Sequence, residues 1–109
     1  MRTGIAAALA VALLSGGASA KDISACTLIV DGKQFINGPC EFSPLGDGSF
    51  KILKGPWFAF VNLQSDQKDH ADGAWNENPL SNHAESPLGV LVHRGECWSN
   101  ERAIICARE

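Results

Sequence analysis

Four cysteines and three histidines are the side chains of this 109-residue chain best equipped to do chemistry, and their spacing decides which chemistry is open to them. Thiol redox work and zinc knuckles both want a C-x-x-C arrangement, the first to lower a thiol pKa and the second to begin a tetrahedral ligand set. Cys26, Cys40, Cys97 and Cys106 stand 14, 57 and 9 positions apart, so neither is available. An even number of cysteines in a short exported chain reads instead as a disulfide framework, with three pairings possible. Cys26–Cys40 with Cys97–Cys106 is favoured because each pair brackets a chain reversal. His70, His83 and His93 lie 13 and 10 apart, with no i, i+4 pair to ligate a metal from one helix face. No G-x-S-x-G elbow presents a serine to any of them, and nucleophilic hydrolysis needs a base that a third group orients. His83, Glu85 and Ser86 place three polar types within four residues, but loop neighbours need a scaffold to hold catalytic geometry. Asp66, Asp69 and Asp72 recur every third position without the order or the distal glutamate of a calcium loop. These residues point away from an enzyme and from a bound metal or cofactor, and toward a binding module.

The elements that must carry those residues are strands. Pro87 to Ala107 reads as strand, turn at Arg94-Gly95, short strand, reversal at Ser99-Asn-Glu-Arg102 and final strand, with Cys97 and Cys106 facing each other across the last hairpin. Near the other end, Cys26-Thr-Leu-Ile-Val30 and Lys33-Gln-Phe-Ile-Asn37 flank Asp31-Gly32, the residues of a type I′ hairpin turn. That register sets Cys26 against Asn37 and Leu28 against Phe35. Gly38-Pro39 should bend the chain before Cys40, and Pro44 to Gly48 should end the strand that follows. Ser49 to Lys54 alternates Phe50 and Ile52 with Lys51, a half-buried strand. Trp57 to Leu63 is apolar on both faces and belongs in the middle of a sheet, since such a strand at an edge would aggregate. Gln64 to Asp72 reads as a polar surface loop, Gly73-Ala-Trp75 as a brief strand, and Asn76 to Pro87 as a long irregular segment. A loop of that length in a small domain is the first candidate for a contact surface. The tetrapeptide Ser-Pro-Leu-Gly occurs at both 43–46 and 86–89. The expected fold is all-β: a small antiparallel sandwich or barrel of seven to nine short strands with two disulfides.

The first twenty residues carry a different signal. Met1-Arg2-Thr3 is cationic, Gly4 to Leu14 is apolar, and Ala18-Ser19-Ala20 is an A-x-A site, the plan of a cleaved secretory leader. The apolar run is about half of the roughly 20 residues that span a bilayer. The remaining chain, Lys21 to Glu109, is one domain small enough that crosslinks matter to its stability. It is expected to be periplasmic or secreted, without stable membrane insertion. The whole chain has 9 basic and 12 acidic residues, a net of -3, and losing Arg2 takes the balance to -4. That argues against nucleic acid, which wants a basic face.

A leader, a mature chain under 100 residues, an antiparallel β barrel or sandwich and a disulfide near the C-terminus together resemble the periplasmic inhibitors of c-type lysozyme. The family's Thr-Lys-Gly pattern has a faint counterpart in Leu53-Lys54-Gly55; its Ser-Gly-x-x-Tyr pattern has none, because the chain contains no tyrosine. The resemblance implies a c-type lysozyme as partner, with loops entering its cleft and hydroxyl and ammonium donors meeting its two catalytic carboxylates. The positions such a site would draw on are Ser86, His83, His93 and Arg94, then Lys51 and Lys54. Two other classes stay open: an assembly protein of the cell envelope, which would expose an apolar edge or patch, and a small-ligand or ion carrier, with a pocket lined by Trp57, Trp75 or Trp98.

Overall fold

The computed structural model describes residues 20–109; the leader read at residues 1–20 lies, but for Ala20, outside them. Eight strands follow in order: β1 (Lys21–Val30), β2 (Lys33–Gly46), β3 (Ser49–Lys54), β4 (Trp57–Gln64), β5 (Gln67–Trp75), β6 (Ser86–Arg94), β7 (Cys97–Ser99) and β8 (Ala103–Arg108). Each is antiparallel to the next, and β8 returns to pair with β1, so the sheet closes into a barrel. Closure removes the edges that would otherwise invite pairing with another chain. The apolar β4 accordingly has partners on both sides, Ile52 of β3 and Trp75 of β5 both lying opposite Ala59.

Inward-facing positions fill the barrel with side chains. Leu28 lies opposite Ile36 on one side and Ile105 on the other, and all three are fully buried. Ile52, Val61, Ala71, Leu88 and Leu91 continue the same core. Gly73, opposite Val61, is required by packing: a Cβ there would come within 2.6 Å of the Leu91 Cδ1. Small and large residues thus alternate across the interior of a narrow barrel. Both disulfides have the favoured pairing, Cys26–Cys40 tying β1 to β2 and Cys97–Cys106 tying β7 to β8.

Asp31-Gly32 forms its hairpin with Val30 opposite Lys33, and both turn residues have positive φ, 52° and 81°. Asp47-Gly48 makes a second turn of this kind, at 50° and 94°. The strand before it does not stop at Pro44, and Gly38-Pro39 does not break it; β2 runs unbroken for 14 residues. Irregularities are absorbed as bulges instead. One falls between Leu28 and Ile29, so that Leu28 faces Ile36 rather than Phe35 and Cys26 faces Gly38 rather than Asn37. The polar stretch at 64–72 is also not a loop. Only the Ser65-Asp66 turn is; Gln64 ends β4 and 67–72 open β5, since a closed barrel supplies strand partners on both sides, and Ala71 alone of the stretch is buried. The two Ser-Pro-Leu-Gly copies sit differently, one ending β2 and one opening β6.

Candidate functional site

An up-and-down barrel sorts its connections between two ends. One end carries the 31–32, 55–56 and 100–102 turns together with the long 76–85 connection; the other carries the 47–48, 65–66 and 95–96 turns. Among the described residues the long connection is the largest irregular segment, and it is built around one buried polar residue. Asn76 is fully buried. Its side-chain oxygen accepts from the Phe58 amide at 2.8 Å, and its nitrogen donates to the Pro56 carbonyl at 2.7 Å and the Ser81 carbonyl at 3.4 Å. The loop's own groups complete the frame: Asn78 accepts from the Leu80 amide, and the Ser81 hydroxyl donates to Glu85 at 2.7 Å. Leu80, at the tip, is 92% exposed.

Beside the loop the barrel mouth is closed by aromatic rings. Phe35 meets Trp75 at 4.6 Å and Trp57 at 4.9 Å between centroids, and the two indoles lie 5.8 Å apart. The bulge beside Phe35 leaves it without a direct partner on β1, which is how a bulge re-aims a side chain. Next to these rings opens a cleft of about 280 Å³ lined by Val30, Asp31, Lys33, Phe35, Trp75 and Glu77. Two of its polar residues, Asp31 and Glu77, are hydrogen-bonded. Arg102 donates from Nε and Nη2 to the two Asp31 carboxylate oxygens, both at 3.1 Å, while the Asp31 amide donates to the Arg102 carbonyl at 2.7 Å. Arg102 holds the Asp31 carboxyl below its ordinary range, first by this hydrogen bonding and then by its charge, and Asp31 in turn raises the guanidinium. The Ser86 hydroxyl donates to Glu77 at 3.3 Å.

No family model matches the chain, and no curated protein or solved structure is detectably similar to it.

The six positions read from the sequence do not form one surface. His83 and Ser86 sit together at the loop end. Lys54 is at that end too, but its ammonium donates to the Pro39 carbonyl at 3.0 Å. Lys51 lies on the outer wall, its ammonium 5.4 Å and 5.7 Å from the Phe58 and Phe60 ring centroids. His93 and Arg94 close β6 at the opposite end, where His93 stacks on Trp98 at 4.4 Å. Near them His70 bonds Asp69 at 2.9 Å, which holds that carboxyl low. Among the described residues, no three His, Cys, Asp or Glu side chains converge as a metal site would require.

Asn76, Arg102, Phe35 and Glu77 escaped sequence reasoning as functional residues. Asn76 opens the irregular segment directly after a tryptophan, but nothing in its type distinguishes a buried clamp from an exposed loop asparagine. Asp31 and Arg102 are 71 positions apart, and only barrel closure makes them neighbours. Chemically, the loop end offers an apolar tip, the carboxylates of Asp31, Glu77, Glu85 and Glu101 and the hydroxyls of Ser81 and Ser86, next to a small amphipathic cleft.

Proposed function

We propose that the chain is an exported binding module that docks the loop end of its barrel into a cleft of another protein, with a c-type lysozyme as the candidate partner. The observation that carries the reading is Leu80, exposed at the tip of a loop that Asn76 already clamps. A lone exposed leucine is ordinary on a protein surface. One on a pre-ordered tip is different, because docking it does not incur the ordering cost of a flexible segment. Two disulfides stiffen the barrel behind it and suit an oxidising compartment. A leader over residues 1–20 and a periplasmic destination fit the same reading; the exported form should have a mass that begins at Lys21.

The loop's chemistry refines how such docking would work. The Ser81 and Ser86 hydroxyls already donate to Glu85 and Glu77, so carboxylates, not free hydroxyls, dominate this surface. Leu80 then acts as the plug, and Glu77 and Glu85 meet basic residues around the partner's cleft, with His83 beside them on the same loop. The net charge of the chain after leader removal favours encounter with a basic protein, an effect that salt weakens.

The test is a cell-wall clearing assay with c-type lysozyme and a severalfold excess of the purified domain. Lysis should fall, and Leu80→Ala should relieve the inhibition by about tenfold, the scale of losing one well-buried anchor. His83→Ala and Ser86→Ala should relieve it by less. Undiminished lysis at that excess removes the lysozyme reading.

A further inference from the structure

The cleft beside the loop is a site in its own right. We propose that it binds one neutral saccharide ring, with Phe35 and Trp75 as its apolar floor and Asp31, Lys33 and Glu77 as its hydrogen-bonding wall. A sugar ring presents C–H groups on its faces and hydroxyls at its edge, each hydroxyl both donor and acceptor. The cleft offers the complement: aromatic surface from Phe35, which is half-buried, over the almost fully buried Trp75, and around it two carboxylate acceptors and one ammonium donor.

Charge balance separates this ligand class from ions. Asp31 is neutralised by the two-pronged Arg102 contact. Lys33 and Glu77 remain, one of each sign, so the cleft has no net charge to favour an ion of either sign over a neutral polyhydroxylated ring. Size points the same way: about 280 Å³ lies just under the roughly 300–1,000 Å³ of typical small-molecule sites, room for a single ring and not a buried chain.

Most of the participating groups already have partners before any ligand arrives; the exposed Lys33 is the exception. Arg102 holds Asp31 from three directions, Ser86 holds Glu77, and Trp57 braces Phe35 edge-on. Preorganisation of this kind lowers the ordering cost of binding. A second cleft, at the opposite end, is lined by Asp47, Leu63, Gln64, Ser65 and Lys68 and has no aromatic floor, so the same argument does not extend to it.

The experiment is an NMR titration of the isolated domain with methyl glycosides of glucose, galactose, mannose and N-acetylglucosamine across the millimolar range. The indole Nε1–H signals of Trp57, Trp75 and Trp98 are the reporters. At least one glycoside should move the Trp75 signal saturably and leave Trp98, which lies outside the cleft, unmoved. Glu77→Gln should weaken that glycoside at least about fivefold, the scale of losing a charged hydrogen-bond acceptor. Phe35→Leu should weaken it while Leu80→Ala leaves it unchanged, which separates this site from protein docking. The proposal is overturned if no glycoside gives a saturable Trp75 shift, if Glu77→Gln and Lys33→Ala bind as the parent does, or if tetramethylammonium or acetate moves Trp75 where glycosides do not.

Discussion

Single residues hold the loop end together. Asn76 satisfies the Phe58 amide and the Pro56 carbonyl from a fully buried position. Asn76→Ala would strand both groups, at a cost of about 1–3 kcal/mol for a buried unpaired polar group. For a domain of this size that is a fall in Tm of roughly 4–8 °C per kcal/mol, readable by thermal unfolding. Hydrogen exchange should quicken in residues 76–85 in that variant while the core strands change far less. The Asp31–Arg102 pair makes a second prediction, in pH. Arg102 lowers the Asp31 pKa, so the pair's contribution is complete above the ordinary carboxylate pKa and is lost as pH falls through the lower folded value. The Tm gap between the parent protein and Asp31→Asn should therefore be steady near neutrality and shrink on acidification. Both side chains are exposed, so the gap should be small and shrink further in salt.

At the scale of elements, much was legible where local chemistry sets the outcome. The turn at Asp31-Gly32 was readable because two positive-φ positions in a row suit that dipeptide. Phe50 and Ile52 inside with Lys51 outside followed from a period of two. What failed were judgements about where strands stop. Pro44 and Gly38-Pro39 looked like breakers, and Gln64 to Asp72 looked too polar for a sheet. A closed barrel supplies every strand with two neighbours, and that non-local pairing overrides weak local preference. The candidate site was half legible: the 76–87 segment stood out by its length, whereas Phe35, Asp31 and Arg102 become neighbours only through a bulge and through closure. Packing inside the elements is tight enough to test. Gly73→Ala places a methyl against Leu91 in a filled interior and should destabilise by about 1–3 kcal/mol, measured by denaturant unfolding. The two disulfides close loops of similar length, with sequence separations of 14 and 9. Removing either by paired Cys→Ser replacement should cost roughly 2–4 kcal/mol in the chain-entropy model, and more at Cys26–Cys40, where both residues are buried and the new hydroxyls would lose water.

For the molecule as a whole, closure has two consequences that bear on function. It fills the interior with side chains, so a ligand or partner could be met only at the ends or on the outer wall. It also splits the chemistry between those ends: His83, Ser86, Glu77 and Leu80 at one, His93, Arg94 and the Asp69–His70 pair at the other. Leu45, 49% exposed beside the 47–48 turn, supplies a matched control for Leu80 at the far end. The most direct measurement is calorimetric titration of c-type lysozyme with the domain, its Leu80→Asp variant and its Leu45→Asp variant. The parent should bind, Leu80→Asp should weaken binding by at least about tenfold, and Leu45→Asp should bind as the parent does. Equal weakening by the two variants, or no binding by the parent, would contradict docking through the loop end.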